Sequence, residues 1–207
     1  MTGVEVNSAS SQHKAIERAS KIKNPIEPFA DQFSKYTKDD IDLTIYCKWK
    51  GDMDAKTLKW AMKLAERNVA PFYRTCGIGW QPKEKQRDLN KNWARYLVAV
   101  DKAKQPVAYT MFRFDMDYGC SVLYCYELQI EKEYQRKGLG KFFIDALERM
   151  AKQYGMEKLI LTVLSNNEDG IKFFNSMGFT TDDTSPDAPT DYSILSKSMD
   201  SLQLQAL

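Results

Sequence analysis

The sequence predicts an α/β fold: a central twisted mixed sheet flanked by helices, with a helical extension at the N-terminal side. Three observations carry this expectation. Amphipathic helical stretches alternate with short runs rich in β-formers. One of those runs, CSVLYCYELQI at 120–130, is apolar on both faces, as a central strand must be. A basic loop containing two glycines, QRKGLGK at 135–141, joins that run to an amphipathic helix.

The elements follow in order. Residues 8–23 place Ala15, Ile16, Ala19 and Ile22 at helical spacing, a thin stripe that must lie against something. Asn24-Pro25 and Glu27-Pro28 break that helix. The alternating IDLTIYCKW at 41–49 reads as the first strand. Asp54 caps a long helix with Leu58, Ala61, Met62, Ala65 and Val69 on one face, and Pro71 is expected to kink or end it. Residues 83–92 are a charged connector or short helix. Runs at 93–101 and 106–115 form a hairpin, followed by the central strand 120–130. A helix over 139–154 buries Phe142, Phe143, Ala146, Leu147, Met150 and Ala151. A buried strand at 156–164 and a short helix at 170–177 follow, the helix stopped by Gly178. A last strand occupies 191–197.

Composition narrows the function. The chain has 207 residues, 43% hydrophobic and 28% charged, enough for a real core without staples. A net charge of +2 excludes a protein that coats nucleic acid by bulk charge, so no DNA partner is expected. Cys47, Cys76, Cys120 and Cys125 form no C-x-x-C pair, and His13 is the single histidine, so no metal site is expected. The N-terminal stretch carries no secretory signal, no run reaches 18 apolar residues, and Thr2 replaces the glycine of a myristoylation motif. The expected setting is the cytoplasm and nucleus, with reduced thiols and no membrane partner.

The sharpest feature is the loop Gln135-Arg136-Lys137-Gly138-Leu139-Gly140-Lys141. Glycines let a backbone turn tightly and approach a ligand, and the N–H groups of a helix start form an anion site. A P-loop would need glycine at 135 and Ser or Thr at 142, where Gln135 and Phe142 stand. A dinucleotide fingerprint would need glycine at 143, which is Phe143. What remains is Q-x-x-G-x-G opening a helix. That pattern resembles the pyrophosphate loop of the GNAT superfamily of N-acetyltransferases. The alternative is a plain glycine turn with a solvated basic rim.

The resemblance implies acetyl-CoA as co-substrate, held by Leu128, Gln129 and Ile130 at the strand end, by Gln135, Arg136, Lys137, Gly138, Leu139, Gly140 and Lys141 in the loop, and by Phe174 and an asparagine, Asn166 or preferably Asn167. Core packing is the plain alternative for Phe173 and Phe174. Segments YLVA (96–99), FRFD (112–115), VLYCYE (122–127), RKGLGKF (136–142), LTV (161–163) and YSILS (192–196) are similar to the N-alpha-acetyltransferase D subfamily. Its members acetylate the N-terminal serine of histone H4 and histone 2A, which begin Ser-Gly-Arg-Gly. The resemblance implies a monomer without an auxiliary subunit, residues 1–40 as an extension packed on the core, 41–199 as the acetyltransferase domain and 200–207 as a tail. The basic residues Lys14, Arg18, Lys21 and Lys23 would also suit docking to the ribosome.

The resemblance implies a catalytic role for Glu127 as general base. An α-amine, with a pKa of about 7.7–8.0, must lose a proton before it attacks a thioester, and an apolar strand suits a carboxylate to that task. Strict alternation would turn Tyr124 and Tyr126 away from Glu127, so a β-bulge is expected close to it. The resemblance further implies a peptide groove lined by Tyr73, Asp115, Asp117, Tyr124, Tyr126, Thr162, Thr184 and Tyr192, with carboxylates pairing the substrate arginine. Asp117 would equally serve a solvated turn. Two departures stand out. Ile78-Gly79-Trp80 keeps only the second tryptophan of a Trp-Gly-Trp segment, and Asp117 is shorter than the usual glutamate. Cys125 lacks a histidine to activate it, so direct transfer is expected rather than an acetyl-cysteine. Basic residues concentrate at 132–141, and Asp182, Asp183, Asp187 and Asp191 stand in a segment without a basic residue, where a cationic peptide would enter. A polyamine acetyltransferase and a non-catalytic acetyl-CoA-binding module are the competing readings.

Overall fold

The computed structural model describes residues 3–187 and 189–199, with side chains from residue 11 onward. The expected tail, 200–207, lies outside the described residues. Helices α1 (Gly3–Lys21) and α2 (Ala30–Phe33) come first. Strands β1 (Lys35–Lys38) and β2 (Ile41–Trp49) precede helices α3 (Ala55–Arg74) and α4 (Pro82–Leu89). Strands β3 (Arg95–Val100), β4 (Pro106–Asp117) and β5 (Cys120–Ile130) run consecutively, then helix α5 (Leu139–Gln153), strand β6 (Lys158–Leu164), helix α6 (Glu168–Ser176) and strands β7 (Thr180–Thr181) and β8 (Tyr192–Ser198).

Among the described residues the strands form one eight-stranded sheet in the order β1-β2-β3-β4-β5-β6-β8-β7. Every neighbouring pair is antiparallel except β5 and β6, so the sheet is mixed and β5 is interior, as its two apolar faces require. One face packs Leu97, Phe112, Leu123 and Leu159 against Phe143, Leu147 and Met150 of α5 and Ala19 of α1. The opposite face packs Tyr96, Val98, Tyr109 and Met111 against Ala61 and Leu64 of α3 and Leu89 of α4. The result is a helix–sheet–helix sandwich. The β4–β5 hairpin closes through Tyr118 and Gly119, both at positive φ, which matches the right-handed twist of the strands.

The structure departs from the sequence pattern in four places. Strand β1 escapes the pattern because KYTK carries one apolar residue, and β7 is too short for any window; both exist through their partners β2 and β8. The connector 83–92 contains a true helix, α4, opened by Pro82 at its first position. Helix α3, capped by Asp54 accepting from Thr57 N, continues through Pro71 to Arg74 rather than ending there. The exposed pyrrolidine ring costs one backbone bond, and the Thr75 hydroxyl bonds the carbonyls of Pro71 and Phe72 to close the last turn. The buried face of α3 is Thr57, Ala61, Leu64, Ala65 and Ala70, with Leu58, Met62 and Val69 only half-buried at its margins.

Arg95 ties the N-terminal helix down. Its guanidinium is 1% exposed and donates to the carbonyls of Ala19 (3.3 Å), Ser20 (2.8 Å) and Ile22 (3.2 Å) at the end of α1. It also stacks 3.8 Å from the Trp49 ring centroid. A cation at a helix C-terminus meets carbonyls that lack intrahelical donors.

Candidate active site

The site is organised by one extra residue. On β5, Glu127 stands opposite Met111, but Cys125 stands opposite Phe112, which leaves Tyr126 unpaired in a bulge. The bulge lies next to Glu127, where alternation demanded one. It brings Tyr124, Tyr126 and Glu127 to the face covered by α3 and α4, while Cys125 points into the other core. Tyr124 and Tyr126 stack at 4.4 Å, and Trp93 packs 4.8 Å from Tyr126.

Glu127 is 8% exposed and has partners on both oxygens. Lys85 of α4 forms an ion pair with Oε1, and Gln129 Nε2 donates to Oε2 at 2.8 Å. Gln129 Oε1 in turn accepts from Asn68 of α3 at 3.0 Å. The Lys85 ammonium lies 5.4 Å over the Tyr73 ring, which itself packs on Trp80. Burial works against the charge on Lys85, but Glu127 and Tyr73 outweigh it and hold its pKa above the ordinary lysine value. Nothing in the sequence marked Lys85, which sits in a run of alternating charges that reads as a solvated surface. Ile78, at the missing tryptophan position, faces solvent at 41% exposure, so Trp80 and Tyr73 supply the aromatic wall here.

The other groove candidates converge on the same face. The Tyr124 hydroxyl and Thr162 Oγ1 of β6 lie 2.6 Å apart, and Asp117 and Tyr192 both act on the Tyr124 phenol. A cavity of about 180 Å³ lined by Asp117, Tyr118, Lys158, Asp182, Asp183 and Thr184 continues beyond them. Burial, then Asp182 and Asp115, push the Asp117 carboxyl above its usual range. Two of these carboxylates already have partners within the chain. Arg113, stacked on Trp93, forms an ion pair with Asp115. Asp182 turns inward and binds Lys158 of β6, outside its own segment, at 2.8 Å. Asp182 also accepts from Thr184 N and Oγ1, so Thr184 shapes the cavity wall through that carboxylate.

At the other end of β5 lies the glycine loop. Strands β5 and β6 pair only from Val122 to Cys125 against Lys158 to Leu161. Beyond Cys125 they part, and among the described residues the β6-facing edge at Leu128–Ile130 has no ladder partner. The Gln129 side chain points away, toward Glu127, so only its main chain faces this opening. Gln135 Nε2 donates to the Ile130 carbonyl at 2.9 Å and anchors the loop to the strand. Gly138 precedes α5 with φ +90, and a Cβ there would fall 2.7 Å from the Tyr36 hydroxyl, which donates to the Lys137 carbonyl. A Cβ at Gly140 would fall 3.1 Å from the Phe173 ring. The first intrahelical bond runs from Phe142 N to Gly138 O, which leaves the N–H groups of Leu139, Gly140 and Lys141 without intrahelical acceptors.

This loop fits an anionic diphosphate. Its glycines are required sterically, its N–H groups point out of a helix start, and Arg136, Lys137 and Lys141 surround it. Arg136 and Lys141 are exposed and share their charges with Asp169 and Asp145. Lys38 and Tyr36 of β1, unmarked in the sequence, complete the wall against Gly138. Phe173 approaches the loop, whereas Phe174 packs between Phe173 and Phe179. Asn167 caps α6 by accepting from Gly170 N, and Asn166 donates to Phe72 O and Thr75 Oγ1. Burial pushes the Cys125 thiol up to about 12, which makes it a poor nucleophile.

Comparison with known proteins agrees with this geometry. The chain covers 74% of its length, and 98% of the other chain, with an Arabidopsis thaliana Naa50 solved in complex with the bisubstrate analogue CoA-Ac-MVNAL, at TM-score 0.51 and 20% identity. It matches the ribosomal-protein-S18-alanine N-acetyltransferase of Escherichia coli over 79% of this chain and 99% of that one, at TM-score 0.53 and 16% identity. It matches a spermidine N-acetyltransferase mutant from Vibrio cholerae over 76% and 94%, at TM-score 0.52 and 17% identity. These likenesses share the fold. A model of the acetyltransferase (GNAT) family matches residues 62–179, from the middle of α3 to the end of the α6 turn, and spans both the glycine loop and Glu127. The chain therefore belongs to the acetyltransferase (GNAT) family, with acetyl-CoA as its acyl donor.

Proposed function

We propose that this protein is an N-alpha-acetyltransferase that carries acetyl from acetyl-CoA to the N-terminal amine of peptides beginning Ser-Gly-Arg-Gly, as histone H4 and histone 2A do. The observation that carries the reading is the bulge at Tyr126, which gathers Glu127, Tyr124 and Tyr126 on one face beside Thr162. The acidic cavity at Asp117 and Asp183 lies along the same face, and its carboxylates suit an early cationic side chain.

In this reading Glu127 takes one proton from the incoming ammonium, directly or through a water. The amine lone pair forms the new C–N bond as the C–S bond of the thioester breaks. The second proton shed by nitrogen ends on the departing thiol, and Glu127 returns its own to solvent. Tyr124 and Thr162 hold the amine end, and the apolar ring wall of Tyr73 and Trp80 excludes water.

The same acidic cavity favours a second reading, acetylation of a polyamine. Mass spectrometry of peptides that differ only in their first four residues, run beside spermidine with acetyl-CoA, separates the two. The expected result is one acetyl group on the Ser-Gly-Arg-Gly peptide and none on spermidine, with Glu127→Gln lowering kcat by about 10²–10⁴. Acetylated spermidine with unmodified peptides would refute the proposal. Binding of acetyl-CoA without turnover of any amine would indicate a non-catalytic module.

A further inference from the structure

Lys85 takes no part in the reaction as written above, yet it is the cation in contact with the base. We infer that Lys85 is the fixed counter-ion of Glu127, a positioning residue that holds the carboxylate aimed at the incoming amine. The inference rests on the reading of Glu127 as general base.

The geometry comes from three elements. Helix α4 is anchored at its start by Pro82 and by the Lys85 N bond to Gln81 O. From there Lys85 reaches inward, with its side chain only 17% exposed, to Glu127 Oε1. Strand β5 supplies Gln129 to the second oxygen, and α3 supplies Asn68 behind Gln129. The carboxylate is thus held from both sides, yet its two oxygens offer about four lone-pair sites, and two remain for a substrate amine or a water.

The other titratable groups around Glu127 do not replace Lys85. Tyr96 of β3 and Tyr109 of β4 both feel Glu127, but their hydroxyls donate elsewhere, to Leu89 O and Ala61 O. Cys125 of β5 is a buried thiol held protonated, Tyr73 of α3 faces Lys85, and Asp88 of α4 acts on Lys85 as a second anion. A buried carboxylate without a cation is costly, and a neighbouring ammonium offsets that cost while it fixes where the carboxylate points.

The test uses the full chain with Lys85→Met, Lys85→Arg and Glu127→Gln. Two readouts are taken at one pH: kcat and KM for the Ser-Gly-Arg-Gly peptide. Lys85→Met is expected to lower kcat by up to about 10²-fold with KM little changed, while Lys85→Arg keeps kcat near the wild-type value. Calorimetry with acetyl-CoA confirms that each variant is folded, and Lys85→Gln replaces Lys85→Met if that variant does not fold. An inactive Glu127→Gln together with an unchanged kcat of Lys85→Met would overturn the inference alone. Full activity of Glu127→Gln would overturn the base reading and the inference with it.

Discussion

Replacing Gly138 with alanine tests the glycine loop as the proposed cofactor cradle. Gly138 has φ +90, a region where an L-residue costs about 1–2 kcal/mol. The new methyl would fall 2.7 Å from the Tyr36 hydroxyl, closer than a real contact allows, so Tyr36 must give up its bond to the Lys137 carbonyl. That loss adds about 1 kcal/mol. The combined cost, about 2–3 kcal/mol, falls on the conformation that presents the N–H groups of Leu139 to Lys141. At about 1.4 kcal/mol per decade, affinity for acetyl-CoA should fall about 30- to 140-fold. Gly79→Ala provides the control: Gly79 also has positive φ, at +71, but among the described residues nothing lies within 4 Å of a Cβ there. Urea unfolding and titration calorimetry with acetyl-CoA measure both variants. The reasoning is refuted if Gly138→Ala binds acetyl-CoA as the wild type does, or if the two variants lose stability equally.

Two further outcomes concern the scaffold. Arg95→Met removes a buried cation and leaves the carbonyls of Ala19, Ser20 and Ile22 without their donor, so stability should fall by about 2–4 kcal/mol. Hydrogen exchange along α1 should quicken more than in the sheet, and unchanged exchange in α1 would show that Arg95 does not hold it. Asp182→Asn probes the cavity floor. Burial opposes ionisation of Asp182, yet the bonds from Lys158, Ser196 and Thr184 outweigh it and hold its carboxyl well below the usual range. A depressed carboxyl contributes stability above its unfolded value of about 3.9 and loses it as pH falls toward the folded one. The wild type should therefore exceed Asp182→Asn in urea midpoint at neutral pH, with the gap closing below about pH 4. A gap that stays constant from pH 7 to pH 2 would contradict the ion-pair account.

Most of the scaffold was legible in the pattern of residues. The long β5 run, the amphipathic faces of α3 and α5, the Asp54 cap and the Gly178 stop are local signals, set by side-chain period and backbone preference within one segment. The bulge was legible too, because three residues proposed for one site could not share a face without it. Strands β1 and β7 were not, since they take their conformation from β2 and β8 rather than from their own composition.

The site divides along the same line. By itself the sequence marked the glycine loop, whose chemistry is contained in seven consecutive residues, and its resemblance to the GNAT superfamily pointed to Glu127 with its tyrosines. Only the tertiary structure decided which charges are spent within the chain. Lys85 meets Glu127 across 42 positions, Lys158 meets Asp182 across 24, and Arg113 occupies Asp115. In the sequence the Asp182 segment looks like an open acidic entry and the Lys85 run like a charged connector. Burial makes them otherwise, because a charge taken out of water must find its opposite wherever the fold brings one near.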